Sequence, residues 1–266
     1  MKTIASRHNP LVREFRDLAS TPDPARLLLD GAHLVREAQR AGASIRIVAV
    51  AASKLERDTE EGALARALAT SGTEVVSASD QVLDAMSPVR TPAGIVAIAE
   101  RTPATAADIC RNAGFVLAAI DVQDPGNLGS LIRAAEAGGV TGVLVSGASA
   151  HPFSWKSVRG SMGSVLRLPV ASVPSVEAVL SWMRKLGLHI VAAVPRDGIA
   201  PEQARWSGKV GLLLGGEGPG LSPDAIAASD ERVTIPMASP VESLNVAVAG
   251  GILVYAARQQ RQHPTP

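Results

Sequence analysis

Residues 235–257 read IPMASPVESLNVAVAGGILVYAA: a strand end, a polar turn, then an apolar helix. The polar insert 239–245 interrupts sequence that could otherwise be buried, and it places Glu242, Ser243 and Asn245 where the strand hands over to the helix. A helix start carries backbone N–H groups with no intrahelical partner, which Ser243 or Asn245 can cap or leave to a ligand. Beyond Asn245 the helix has almost nothing polar on any face, so burial on several sides is expected, partly in a subunit interface. A capped core helix would use the same residues as a binding loop, so other stretches must decide between them.

Composition sets the frame for that decision. The 266 residues suffice for one large or two ordinary domains, and 46% hydrophobic content is ample for a core. Lys plus Arg number 26 against 25 acidic residues, a net charge of +1. Bulk attraction to nucleic acid is therefore excluded, and any such binding must use local patches. A single cysteine, Cys110, excludes an internal disulfide and a multi-cysteine zinc site, so no metal is expected. The N-terminus has no apolar run after its charges and the longest apolar run is too short to span a bilayer, which predicts a cytoplasmic protein without export signal or membrane segment.

Asn9 and Pro10 form a helix start, followed by Leu11, Phe15 and Leu18 at helical spacing. Over residues 1–46, Lys2, Arg7, Arg13, Arg16, Arg26, Arg36, Arg40 and Arg46 outnumber Glu14, Asp17, Asp23, Asp30 and Glu37, as a solvated face or a polyanion contact would. Apolar runs at 27–29, 45–50, 75–76 and 95–99 alternate with helical patterns around 34–41, 64–69 and 82–86, a compact α/β unit. Residues 101–107, RTPATAA, read as a linker before a fresh start at Ala113, placing a boundary near 102. After it, β-type runs at 115–120, 143–146, 188–194, 210–214 and 233–235 alternate with helical stretches, which predicts a mostly parallel sheet covered on both faces.

In such sheets ligands sit beyond the carboxyl ends of the strands, where three stretches stand out, the 235–257 stretch already described and two more. In 121–139, DVQDPGNLGSLIRAAEAGG, Asp-Pro-Gly turns the chain, Asn127 can open a helix, and Gly129 leaves room for Arg133, four residues on, to bend back toward a bound anion. In 212–222, LLLGGEGPGLS, glycines crowd a strand end around Glu217, so backbone must come close to something. This is neither a dinucleotide fingerprint, since Leu221 occupies the third glycine position and Pro219 interrupts, nor a P-loop, since no Gly-Lys-Ser/Thr occurs. Between them, residues 149–169 carry His151, Lys156, Arg159 and Arg167 with no acid, a phosphate-facing rim.

Taken together, NLGSLIRAAEAGG, LLLGGEGPGLS and IPMASPVESLNVAVA, in this order and at these separations, resemble the three motifs of the SpoU (TrmH-like) family of RNA ribose 2′-O-methyltransferases. The match covers 115–258, and the N-terminal stretches SRHNPLVREFRDLAS and LLLDGAHLVREAQRAG are similar to that family's substrate-binding domain. The resemblance implies an α/β protein: a trefoil-knotted, SPOUT-type parallel-sheet methyltransferase domain over 102–266, preceded by a small ribosomal-protein-like RNA-binding domain over 1–101. It further implies S-adenosylmethionine as methyl donor and a homodimer whose active site combines both subunits. By position, Gly215, Ile235 and Leu244 match methyl-donor contacts, with Leu214, Gly216, Met237 and Ser243 close by. Asn127, Arg133, Glu217 and Asn245 match the polar residues of substrate positioning and catalysis. Ser239 stands where many members have Gly, and the adjacent Pro240 is less usual. The expected substrate is 23S ribosomal RNA, with transfer RNA as the alternative. A non-catalytic RNA-binding or ribosome-assembly protein and a nucleotide-dependent enzyme are the other classes.

Overall fold

The computed structural model describes residues 1–263. The chain forms two compact units: Met1–Thr102 together with Phe153–Arg167 make the first, and Pro103–Pro152 together with the chain from Leu168 onward make the second.

The chain opens with β1 (Lys2–Ile4), α1 (Pro10–Ser20), β2 (Arg26–Asp30), α2 (Ala32–Arg40) and β3 (Ser44–Ala51). It continues through α3 (Ala52–Leu55), α4 (Glu60–Thr70), β4 (Glu74–Ala78), α5 (Asp80–Met86) and β5 (Ile95–Glu100). Then follow α6 (Ala106–Arg111), β6 (Phe115–Ile120), α7 (Pro125–Gly138), β7 (Gly142–Ser146), α8 (Trp155–Gly160) and a 3-10 turn (Ser164–Leu166). The last part is β8 (Val170–Val173), α9 (Val176–Lys185), β9 (His189–Ala193), β10 (Val210–Gly215), α10 (Pro223–Ala227), β11 (Glu231–Val233) and α11 (Val246–Gln262).

In the first unit a five-stranded sheet runs β1-β4-β3-β5-β2. β1, β4 and β3 are parallel, and β5 pairs antiparallel with both β3 and β2. Helix α1 starts as expected, the Asn9 side chain accepting from the Leu11 N–H at 2.9 Å. Its buried stripe is Val12, Phe15 and Leu18, packed in one cluster with Val82, Leu83 and Met86 of α5.

The second unit holds a six-stranded sheet in the order β11-β9-β10-β6-β7-β8, every pair of which is parallel. Helices cover both faces. Leu213 of β10 joins the cluster beneath α6 and α9, whereas its neighbour Leu214 meets Gly250 of α11, as strand alternation requires. On the α11 side, α7 and α11 approach closely: Gly138 meets Val254, and Gly250 meets Leu131 and Leu214. No helix among the described residues is long and apolar enough to cross a membrane.

Several local expectations differ from the fold. The 101–107 stretch does not run irregularly to Ala113, because the Thr105 hydroxyl caps the Asp108 N–H at 3.1 Å and starts α6, whose Ile109 and Cys110 are buried. The last strand ends at Val233 rather than Ile235. There the Thr234 hydroxyl donates to Val194 and accepts from the Gly198 N–H, and Pro236 has no N–H to extend a ladder. Strands β1 and β8 are short sheet edges without a readable apolar run. Helix α11 is buried through Val246, Gly250, Leu253, Val254 and Ala257, in keeping with the expected burial on several sides, while Val248, Ile252 and Tyr255 are 51%, 41% and 49% exposed within one chain.

The α7–α11 approach carries the first prediction. Gly250→Leu should force these helices apart and destabilise the protein by about 1–3 kcal/mol, as overpacking does, measured by denaturant unfolding.

Candidate functional site

The site is built where β6 and β10 end side by side, Ile120 paired with Gly215. The Gly216 N–H continues the ladder by donating to Ile120 at 2.7 Å. A Cβ on Gly216 would overlap the Asp121 carbonyl, and one on Gly215 would overlap the backbone at Gly220 and Leu221, so no side chain fits at either position. Asp121 itself has a positive φ of 56°, unusual for a non-glycine residue, and its carboxylate accepts from the Ala148 N–H at 2.7 Å. Backbone therefore does come close to something in the glycine-rich stretch. What it approaches is the turn after the neighbouring strand.

That approach sets Glu217 beside the start of α7. The helix is opened by Asp124, not Asn127: the Asp124 carboxylate accepts from the Asn127 N–H at 2.7 Å, and Pro125 takes the first helical position. The Asn127 side chain is thus released from capping, and its Nδ2 donates to Glu217 Oε1. The other Glu217 oxygen accepts from the Gln123 N–H at 3.3 Å. On the far side, Asn245 caps α11 with its Oδ1, accepting from Ala247 and Val248 at 2.9 and 3.3 Å. Its Nδ2 then donates to Asn127 Oδ1 at 2.9 Å. The cap occupies the Asn245 oxygen, so both amides have a determined orientation and the line runs Asn245 to Asn127 to Glu217 with donors pointing one way.

Beneath this line lies a cavity of ≈ 550 Å³ beyond the carboxyl ends of β9, β10 and β11. Leu214, Gly215, Gly216, Ile235, Met237, Ser243 and Leu244 all line it, together with Glu217 and Asn245. Asn127 is not in its wall and reaches it through hydrogen bonds to the last two. Arg133 stands apart: it is exposed on α7 and has no hydrogen bond or ion pair among the described residues, while Gly129 is buried. Ala193, Val194 and Pro195 form a wall that the sequence reading missed, although the 188–194 run ends there and the strand-end rule applies to it as to the others. Arg196 and Glu242, next to lining residues, pair at 3.3 Å, but both are largely exposed and the pair contributes little.

A glycine-edged, mostly apolar cavity at the carboxyl end of a parallel sheet, with amide and carboxylate groups converging on its rim, defines an α/β enzyme that works with a small bound ligand. The chain belongs to the SpoU rRNA methylase family, whose model matches residues 114–255, and the model of the MRM3-like substrate binding domain matches residues 9–97. An uncharacterized tRNA/rRNA methyltransferase of Synechocystis sp. is 33% identical, over 97% of this chain and 94% of that one. The 23S rRNA (guanosine(2553)-2′-O)-methyltransferase RlmP of Bacillus subtilis is 28% identical, over 97% of this chain and 100% of that one. Among solved structures, the SpoU methyltransferase AviRb of Streptomyces viridochromogenes in complex with the cofactor AdoMet superposes with a TM-score of 0.84 at 27% identity, covering 97% of this chain and 100% of that one.

The backbone approach at Gly216 is testable. Gly216→Ala should push the 216–222 loop off the Asp121 carbonyl, lower stability by at least about 1–3 kcal/mol, and open a protease cut within that loop. An unchanged digestion pattern would mean that the loop tolerates a side chain there.

Proposed function

We propose that this protein transfers the methyl group of S-adenosylmethionine to a ribose 2′-hydroxyl of 23S ribosomal RNA in the cytoplasm. In this reading residues 1–101 form the RNA-binding domain, with 153–167 packed in the same unit, the transfer site lies within 102–266, and the family's trefoil knot involves the loops of the 212–222 and 235–257 stretches. The observation that carries it is the directed line Asn245–Asn127–Glu217 on the rim of the cavity. The cavity suits the cofactor. Its volume lies in the usual range for small-ligand sites, its walls at Ala193, Val194, Ile235, Met237 and Leu244 suit the apolar parts of the molecule, and Gly215 and Gly216 present bare backbone. S-adenosylmethionine, when bound, supplies an electrophilic methyl group on a sulfonium.

The chain's own residues have to orient the ribose, exclude water and help a weakly acidic alcohol lose its proton. Orientation falls to Asn127, whose amide is held at both ends by Asn245 and Glu217, so its geometry is set before substrate arrives. Arg133 is not the base, because a guanidinium scarcely gives up its proton inside a protein. Exposed, and without a hydrogen bond or ion pair among the described residues, it is available to clamp a phosphate and stabilise the developing alkoxide charge. The 2′-oxygen would gain the methyl group as the sulfonium–methyl bond breaks and leaves a neutral thioether, and the hydroxyl proton would pass to phosphate or water.

Transfer of labelled methyl to separate ribosomal and transfer RNA pools, with the product mapped for 2′-O-methylation, tests this directly. Label is expected in ribosomal RNA, with Asn245→Ala lowering kcat by about 10²-fold, the size seen when a positioned donor is removed. Label confined to transfer RNA would reassign the substrate. Arg133→Lys with near-normal turnover at saturating RNA would overturn the bidentate clamp.

We also propose a homodimer. The exposed Val248, Ile252 and Tyr255 recur at helical spacing on α11, an apolar stripe suited to a second copy, and Arg133 outside its own cavity wall suits a site completed across subunits. Sedimentation should find a dimer that Ile252→Asp converts to monomer, with methyl transfer lost in parallel.

A further inference from the structure

The acid-free stretch around Lys156, Arg159 and Arg167 is not used by the site described above. Its core residues Phe153, Val158 and Val165 are 4%, 0% and 1% exposed, and α8 packs on β2 within the first unit. The cations are left at the surface. Arg167 Nη1 lies 2.7 Å from Glu37 Oε2, and Arg40 Nη1 lies 3.0 Å from Glu37 Oε1, so one carboxylate is shared by two guanidiniums. Burial would raise the Glu37 carboxyl, but the hydrogen bonds from Arg40 and Arg167 outweigh it and hold it below the usual carboxylate range. Arg159 acts on Asp30, a carboxyl pushed up by burial and hydrogen-bonded by the Ser87 hydroxyl at 2.5 Å. The Lys156 ammonium sits 5.5 Å from the Trp155 ring centre.

Glu37 is set against Arg40 and Arg167, and the half-buried Asp30 against Arg159, while the 149–169 stretch that carries Lys156, Arg159 and Arg167 has no acid of its own. The other basic surface of the unit, Arg7, Arg13 and Arg16 around α1, compares poorly. Exposed Asp17 and Asp84 lie among its arginines, and Asp17 pairs with Arg13 at 3.7 Å.

We propose that the rim formed by Lys156, Arg159, Arg167 and Arg40 is where the RNA sugar–phosphate backbone docks on the first unit. Glu37 holds two guanidiniums at a set spacing, so part of the rim is arranged before RNA arrives. Contacts of this kind set register and add affinity without reading bases. The inference rests on the RNA methyl-transfer reading and adds to it a surface outside the catalytic line.

The test compares binding of protein-free 23S ribosomal RNA by wild type, Lys156→Gln/Arg159→Gln and Arg13→Gln/Arg16→Gln across a salt series. Thermal unfolding and S-adenosylmethionine affinity are measured on the same samples. The rim variant should bind at least about 10-fold more weakly, with a salt slope shallower by about 1.4, the loss of two phosphate contacts to single-stranded RNA. Its unfolding and cofactor affinity should be unchanged, and Lys156→Arg/Arg159→Lys should restore binding. Wild-type affinity and slope in the rim variant, or the loss appearing in the α1 variant instead, would overturn the inference. Rim-dependent binding with no methyl transferred by wild type would support the rim and overturn the methyl-transfer reading. No RNA binding by wild type would overturn both.

Discussion

The contact on which the site depends is the approach of the Gly216 backbone to the Asp121 carbonyl. It holds the loops leaving two adjacent parallel strands against each other with no side chain between them. Because they touch, Glu217 stands beside Asn127 although 90 residues separate them. Asn127 in turn can meet Asn245, which arrives from the last helix. A wider separation of the loops would leave each of these side chains an ordinary solvated polar group. The left-handed backbone at Asp121 belongs to the same arrangement, since its carboxylate ties the turn to Ala148.

Directionality follows from helix capping. Asp124 satisfies the start of α7, so Asn127 need not, and Asn245 caps α11 with its oxygen alone. Two helix starts thereby free one amide and orient the other, and a carboxylate closes the line. The result is a polar rim whose side chains hold one another in place, over a cavity whose walls are otherwise apolar. Preorganisation of this kind matters most in a reaction where the protein's main task is to hold two partners in line.

Much of this could be read before any coordinates. Asn127, Glu217 and Asn245 stand out as polar side chains at strand ends among glycines and turn residues; capping would use the two asparagines equally well, and it is the joint resemblance to the SpoU motifs that singles all three out. The parallel sheet was visible in the alternation of apolar runs with helical stretches. Features that depend on long-range choice were not. Asp124 followed by Pro125 is the same start signal as Asn9 before Pro10, but Asp-Pro-Gly also reads as a turn that leaves Asn127 to open the helix, and the hydrogen bonds decide. Helix α6 is short and begins with two alanines after a threonine, which reads equally well as linker. Ala193 to Pro195 look like any strand end until β9 is set next to β10. The outward face of α11 carries Val248, Ile252 and Tyr255, and an apolar pattern on every side of a helix marks it for burial without saying which face meets the sheet and which is left exposed within one chain.

The membership of Phe153–Arg167 in the first unit bears on how the protein is made. During synthesis the apolar core of the N-terminal unit, drawn from residues between Ile4 and Ile98, is present when Thr102 emerges, but Trp155, which packs against it from the later segment, has not yet been translated. The intervening Pro103–Pro152 segment must appear first, a delay of about 3–10 s at ordinary elongation rates. Strands β6 and β7 and helix α7 are therefore exposed to the nascent-chain environment before either unit is whole. A chain arrested between 102 and 153 would hold the first unit's core residues but present the surface that Trp155 covers in the finished protein.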